Sequence, residues 1–396
     1  MAGSSRNMAV DRRAAYTIIF MFGVVALFGD VIYEGARSVT GPYLYLLGAS
    51  AIVVGIVSGF GEFLGYLLRL VSGFIADSTR SYWVLLALGY GMLLAVPLLA
   101  FAGSWELAAA LFIIERMGKG IRSPAKDTIL SSVSSGVGRG VGYGIHETLD
   151  QIGAIIGPLV FSAAFLFRGD YETGFVLLFI PFTLLAIMLY FTWRKAPDPV
   201  AYEPKANPGE GTPLSGNVII LFLFAGLTMA GFAAFPLIAY HFASTGIVTE
   251  AEIPLFYAIA MGADAAIAIV IGKAYDRFGP CIIILIPLIS IIIPFMAFGS
   301  EYWPALLAVV LFGMVLGVNE TVLRAAVADT THISIRGRTF GIFNTIMGIS
   351  WFAGSVVAGF LYTISIPLLI GLLASLQVAA LIVLLSGRRS LLNPAV

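Results

Sequence analysis

Charge is scarce in this chain: Asp, Glu, Lys and Arg together make up 11% of its 396 residues, whereas a soluble domain carries about 25%. With 59% apolar residues, so few charges cannot solvate the whole exterior, and lipid must surround much of it. Cysteine is almost absent. The single Cys281 excludes an internal disulfide and any Cys-based metal cluster. The three histidines, His146, His241 and His332, lack HExxH spacing, and no His/Asp/Met set at ligand spacing is evident, so no metal site is expected. Neither sign of charge is in excess, with 22 basic and 22 acidic residues, and nothing points to a nucleic acid partner. GVGRGVGYG at 136–144 and GKG at 118–120 follow no strand and do not complete a phosphate loop. Nucleotide binding, ATP-driven work and a cofactor are therefore not expected, and the chain does not read as an enzyme.

What the sequence has in abundance is long apolar runs. A helix crosses the ~30 Å hydrocarbon core in about 20 residues, and twelve segments meet that length. They lie near 14–46, 51–72, 82–102, 105–133, 139–167 and 172–193, then near 217–244, 253–274, 280–300, 303–328, 338–363 and 366–386. The first reads as a retained helix, since no cleavage-type site follows it. The fold class expected is all-α, with twelve transmembrane helices.

Lys and Arg are retained on the cytoplasmic side of short loops, and they recur at every second connection. Arg6, Arg12 and Arg13 precede the first helix. Arg80 follows the second, Lys119, Arg122, Lys126 and Arg139 cluster between the fourth and fifth, and Arg194, Lys195 and Lys205 follow the sixth. Lys273 and Arg277, then Arg336 and Arg338, then Arg388 and Arg389 continue the series, while the opposite loops carry mainly Glu106, Asp170, Glu250, Glu252 and Glu301. Both termini are expected in the cytoplasm of a multi-pass plasma or inner membrane protein.

Residues 194–216 break the hydropathy with Pro, Gly and charge and read as a linker. They divide an N-terminal unit, 1–193, from a C-terminal one, 217–396, and the two share an internal repeat. RGVGYGI, beginning at Arg139, matches RGRTFGI, beginning at Arg336; the same offset places Gly120 on Gly317 and Gly157 on Gly354. A slightly different offset places Gly73 and Asp77 on Gly272 and Asp276.

With these motifs in register the chain resembles the major facilitator superfamily along essentially its whole length. That family carries a Gly-x-x-x-Asp-Arg type motif after its second and eighth helices. Gly272, Asp276, Arg277 and Gly279 match it well; Gly73, Asp77 and Arg80 match it with Ser78 where a basic residue is common. The resemblance implies two pseudo-symmetric six-helix bundles rocking about a central cavity, with Asp77 and Asp276 as gating elements at helix ends. In the fifth helix Gly144, Gly153, Gly157 and Pro158 are similar to the signature of the antiporter branch, although Phe161 and Ser162 replace its trailing glycines. Small residues at this spacing let helices approach closely, and the fifth helix is expected to pack tightly on its partner in the other half.

Ionisable residues inside spans are costly, ~2.5–3.5 kcal/mol each on insertion scales, and mark solute or proton pathways. Asp30, Glu34 and Arg37 are spaced four and then three apart, on one face of the first helix. The second adds Glu62 and Arg69, the fourth Glu115 and Arg116, the fifth His146, Glu147 and Asp150, the eighth Asp264, and the tenth Asn319, Glu320 and Arg324. His146, Glu147 and Asp150 have no second-half counterparts, the matched positions being Phe343, Asn344 and Met347. By the resemblance, helices one, four, seven and ten line the cavity, and Arg116 pairs with an acid on the first helix. Fixed ion pairs, Asp30 with Arg116, Glu320 with Arg324, and Glu147 and Asp150 with the Lys119, Arg122 and Lys126 cluster, are the structural alternative. Tyr33, Tyr240 and Trp351 could also line a cavity.

The expected activity is secondary transport, the proton-coupled export of a small organic solute by alternating access. Asp30, Glu34, Arg116, Glu62, Glu147, Asp150 and Glu320 are the candidate coupling and substrate residues. Gly73, Asp77, Arg80, Gly272, Asp276 and Arg277 are the candidate gate. The partners expected are the bilayer, a small-molecule or ion substrate and protons, with the protein a monomer. An importer, a metal-ion exporter, and a non-transporting receptor or lipid-handling protein on the same fold are the alternatives.

Overall fold

Apolar residues repeat around entire helix circumferences here, and the chain folds accordingly into helices with lipid-facing surfaces. The computed structural model describes residues 12–134, 137, 139–196, 216–331 and 336–387, and no strand occurs among them. Arg6, Lys205, His332, Arg388, Arg389 and most of the 194–216 segment lie outside the described residues, as do the side chains of Arg12, Arg139, Arg336 and Arg338.

Among the described residues, twelve spans follow one another. In the first half they are α1 (Arg12–Leu46), α2 (Ala51–Thr79), α3 (Tyr82–Gly91, continued by 3-10 turns to Phe101), α4 (Trp105–Ser134), α5 (Arg139–Phe167) and α6 (Tyr171–Lys195). In the second they are α7 (Val218–Thr245), α8 (Glu252–Phe278), α9 (Leu285–Ala297, entered by a 3-10 turn from Gly279), α10 (Tyr302–Val327), α11 (Arg336–Ile364) and α12 (Ile366–Ser386). Ten stretches pass as apolar enough to cross a bilayer. The count reaches twelve for two physical reasons. Glu252–Ala297 is 46 residues long, about 69 Å if straight at 1.5 Å per residue, and it turns at Gly279 with φ 66°. Trp105–Ser134 is a continuous helix of crossing length whose charged residues dilute its hydropathy.

The sequence boundaries hold to within a few residues, except that α2 and α8 run on past 72 and 274 to Thr79 and Phe278. The added turns carry the charged residues Asp77, Asp276 and Arg277 beside exposed Phe74 and Phe278. Arg80 closes α2 in the left-handed region, φ 55°, its N–H donating to Ala76 O at 2.8 Å. Asp170 caps the start of α6, its Oδ1 accepting from the Thr173 N–H at 2.6 Å. That bond holds the carboxyl below the usual range.

The repeat read in the sequence reappears as packing. In the first half α1 packs on α5, α2 on α4, and α3 on α4; in the second, α7 packs on α11, α8 on α10, and α9 on α10. A Cβ at Gly73 would meet Pro124 of α4 at 3.7 Å, and one at Gly272 would meet Thr321 of α10 at 3.7 Å. These are equivalent contacts in two six-helix bundles. Gly153 and Gly157 face the main chain of α1 at Leu27 and Val31, and Gly354 faces Ala230 in the same way. The expectation that this motif packs α5 on the other half is therefore corrected: its glycines seat α5 on its own first helix. Gly144 faces open space, and α5 continues through Pro158.

Across the two bundles α1 meets α7, α2 meets α11, and α5 meets α8. At the end opposite the termini this seam is shut by glycine. A Cβ on Gly41 would collide with the Pro236 carbonyl, one on Gly55 with the Ser355 carbonyl, and one on Gly359 with the Ala51 carbonyl. Tyr240 stacks edge-on against Tyr45, 5.1 Å between ring centroids, and against Tyr362.

Candidate functional site

Between this closed seam and the terminus-bearing end lies a cavity of about 180 Å³. Asp30, Glu34, Glu62, Arg116, Glu147, Asp150 and Glu320 all line it, so every candidate coupling residue is brought to one place. The expectation that helices one, four, seven and ten form the lining needs correction. α7 contributes only Met229, whereas α2, α5, α8 and α11 supply most of the remaining wall. Tyr33 and Trp351 line it, and Tyr240 lies instead in the seam.

The floor is a paired-charge cluster. Gly61 lets α2 pass under the Arg116 stem, where a Cβ would meet Cγ at 2.9 Å, and this close approach decides the partner of the guanidinium. Arg116 Nη1 donates to Glu62 Oε1 at 3.0 Å and to the Tyr33 hydroxyl, while its Nε lies 3.3 Å from Glu115 Oε2. Arg37 sits 3.7 Å from the same Glu62 oxygen and 3.9 Å from Glu34. The pairing of Arg116 with the first-helix acid Asp30 is therefore not formed; the partner comes from α2. The Tyr33 ring carries Arg116 on one contact, 4.3 Å, and the Lys119 ammonium on another, 3.7 Å, both cation–π arrangements. Tyr257 of α8 donates its hydroxyl to Glu34 Oε2 at 2.6 Å, a polar strut from one half to the other.

The upper wall is different. Asp30, Glu147, Asp150, Asp264 and Glu320 line the cavity, yet among the described residues none lies within 4 Å of a basic nitrogen. The expected Glu320–Arg324 pair is absent for a local reason. Asn319–Leu323 is a π-turn inside α10, and its wider i→i+5 winding moves residues four apart off a shared face. Asn319, buried beside it, has neither side-chain nitrogen nor oxygen hydrogen-bonded. Glu147 and Asp150 likewise make no ion pair with Lys119, Arg122 or Lys126. Glu147 instead accepts a long hydrogen bond from Gln151, 3.5 Å.

The candidate gate residues lie apart from the cavity, at the terminus-bearing ends of α2 and α8. Asp77, Arg80, Asp276 and Arg277 are exposed there and make no ion pair with another described residue. Arg277 lies over the Phe278 ring at 5.2 Å. Lys119, Arg122 and Lys126, read as a cluster between the fourth and fifth helices, lie instead inside α4, and Lys119 lines the cavity. Sequence reasoning left Arg37, Asp264 and Asn319 without a role, although each is an in-span polar residue, and overlooked Tyr257. A tyrosine in an apolar run gives no signal in one sequence, because its partner, Glu34, lies 223 positions away.

The sequence expectation of no metal-ligand set is also revised. His146, Glu147 and Asp150 each place a donor atom within 4.8 Å of the others. Spacing of one and four along a helix achieves this without a HExxH motif.

Comparison with known proteins agrees with this architecture. The model of the family described as Major Facilitator Superfamily matches residues 25–244 and again 217–394. An uncharacterized protein of Mycobacterium tuberculosis is 38% identical over 390 residues, covering 96% of this chain and 95% of its own. An uncharacterized MFS-type transporter of Methanocaldococcus jannaschii is 26% identical over 375 residues, 91% of this chain and 92% of its own. The class B tetracycline resistance protein of Escherichia coli matches at 34% over 97 residues, 24% of each chain. Among solved structures, the nucleoside transporter NupG superposes with a TM-score of 0.72 at 16% identity, over 93% of this chain and 98% of that one. A peptide transporter, POT, in complex with alafosfalin gives 0.74 at 15%, over 94% of each; both share the fold. A duplicated six-helix bundle, a polar cavity between the halves and a whole-length family match lead to one conclusion: the chain belongs to the major facilitator superfamily, as a multi-pass membrane transporter and not an enzyme.

Proposed function

We propose that this transporter couples proton movement to the export of a small, polar, charged organic solute by alternating access. The observation that carries the reading is Asp30, which lines the cavity near the middle of α1 with no ion-pair partner within 4 Å among the described residues. A carboxylate not committed to a fixed pair can gain and lose a proton as its surroundings change between water and protein. The Glu62–Arg37–Arg116 cluster beside it supplies the fixed counter-charge. In this reading the N-terminal half, 1–193, and the C-terminal half, 217–396, rock about the cavity, with 194–216 as a cytoplasmic linker. Lys and Arg bias the terminus-bearing end to the cytoplasm, so the seam shut at the other end leaves the cavity on the cytoplasmic side. Outward movement of cargo is supported by the resistance protein among the relatives. Asp77, Arg80, Asp276 and Arg277 then form their gate contacts only when the cytoplasmic ends approach.

The test is flux in proteoliposomes loaded with a pH-sensitive dye and challenged with a panel of small charged solutes. A cognate solute is expected to drive a pH change inside. Asp30→Asn, which removes the titratable group and keeps its size, is expected to reduce that change to the level of empty liposomes. Solute flux indifferent to a pH gradient, and equal in Asp30→Asn, would refute proton coupling.

A further inference from the structure

We propose that His146, Glu147 and Asp150 bind a divalent transition-metal ion in the cavity wall. The imidazole of His146 is buried, 3% exposed, and its Nε2 has no hydrogen-bond partner. A buried polar nitrogen left unsatisfied in a membrane span is costly, and one ring nitrogen lies within 4.8 Å of a carboxylate oxygen on each of Glu147 and Asp150. Glu147 and Asp150 both line the cavity, so an ion has an entry path. No Lys or Arg nitrogen lies within 4 Å of either carboxylate among the described residues, so no direct ion pair occupies the place of a metal.

The ligand chemistry narrows the ion. Metal bonds to imidazole nitrogen and carboxylate oxygen run at about 2.0–2.2 Å, so the three donors must draw together by roughly an ångström. Glu147 is exposed and long enough to swing inward, and His146 and Asp150, four apart on one helix face, need move least. Two carboxylates neutralise a divalent charge, and one nitrogen among the donors favours Mn²⁺, Co²⁺ or Zn²⁺ over Mg²⁺ and Ca²⁺, which select oxygen. Water or a solute donor completes the shell. The matched second-half residues, Phe343, Asn344 and Met347, cannot repeat the set, so one ion per chain is expected. The proposal rests on the geometry of this helix face and not on proton coupling.

Untagged full-length protein in detergent, stripped with a chelator and titrated with Co²⁺ alone, tests it by the visible ligand-field absorption of the ion. Saturation at one equivalent is expected, reversed by Zn²⁺ and not by excess Mg²⁺. Glu147→Gln, at an exposed position that leaves the fold intact, and Asp150→Asn are expected to weaken binding at least about tenfold, since even outer-shell changes cost a metal site that much. Absence of a saturable signal would overturn the proposal. So would a signal unchanged in both variants, which would place the ion away from this helix face. No gradient is used, so either outcome leaves the flux test of proton coupling independent.

Discussion

Glu62→Gln is expected to lower the thermal stability of the detergent-solubilised protein more than loss of any other cavity carboxylate. One Glu62 oxygen serves two guanidiniums, Arg116 at 3.0 Å and Arg37 at 3.7 Å, with side-chain exposures of 19%, 14% and 12%. Removing one partner of a buried pair costs about 3–5 kcal/mol because the remaining charge stays desolvated. Water in the cavity screens the three groups, which places the expected loss near the lower bound. Glu115→Gln is the internal control. Glu115 also touches Arg116, at 3.3 Å, but is 2% exposed and leaves its own Oε1 without a partner, so neutralising it removes a buried charge while Arg116 keeps Glu62. Its melting temperature is expected to fall little or to rise. Converting both members, Glu62→Gln with Arg116→Gln, is expected to recover much of the single-variant loss. Equal melting of Glu62→Gln and Glu115→Gln would show that the cluster is not organised around Glu62.

Gly41→Val is expected to stop transport by preventing the seam from closing. The new Cβ would lie on the Pro236 carbonyl of α7, a backbone atom that cannot rotate away. Overpacking of this kind costs about 1–3 kcal/mol, a shift of about 5- to 150-fold between the closed and parted arrangements. A chemical label reads this directly. Cys281 is the only cysteine and is exposed, so Cys281→Ser gives a clean background, and Ser58→Cys places a thiol on the small cavity beneath the seam. An impermeant maleimide added from the terminus-free side is expected to leave that thiol unmodified with Gly41 in place and to modify it in Gly41→Val. Unchanged labelling together with undiminished flux would mean that the seam is not the gate on that side.

Much of this architecture was legible in one sequence because lipid imposes a simple code. Span length follows from bilayer thickness, so the run from Trp105 to Ser134 could be read despite its charges, and the repeat from Arg139 and Arg336 located equivalent helices. What could not be read was which faces meet. Gly153 and Gly157 advertise close approach but do not name the helix approached, which is α1. Arg116 needed an acid, and the resemblance pointed to the first helix and Asp30; the passage of Gly61 beneath its stem puts Glu62 of α2 there instead. Glu320 and Arg324 have ion-pair spacing for an α-helix, and no residue between them announces a π-turn. His146, Glu147 and Asp150 come together through helical periodicity alone, a spacing outside the familiar metal motifs.

The glycine seam bears also on how little a cargo molecule must contribute to turn the transporter over. Interdigitating side chains lose rotamer freedom whenever they meet, as much as ~2 kcal/mol for the longest, but a glycine has none to lose. Where Gly41, Gly55 and Gly359 present main chain to main chain, closing and parting reset no rotamers, and neither state is deeply favoured by that contact. In such a balanced pair of states, a solute or proton that binds one arrangement ten times more tightly than the other, about 1.4 kcal/mol, is enough to change which arrangement is the majority.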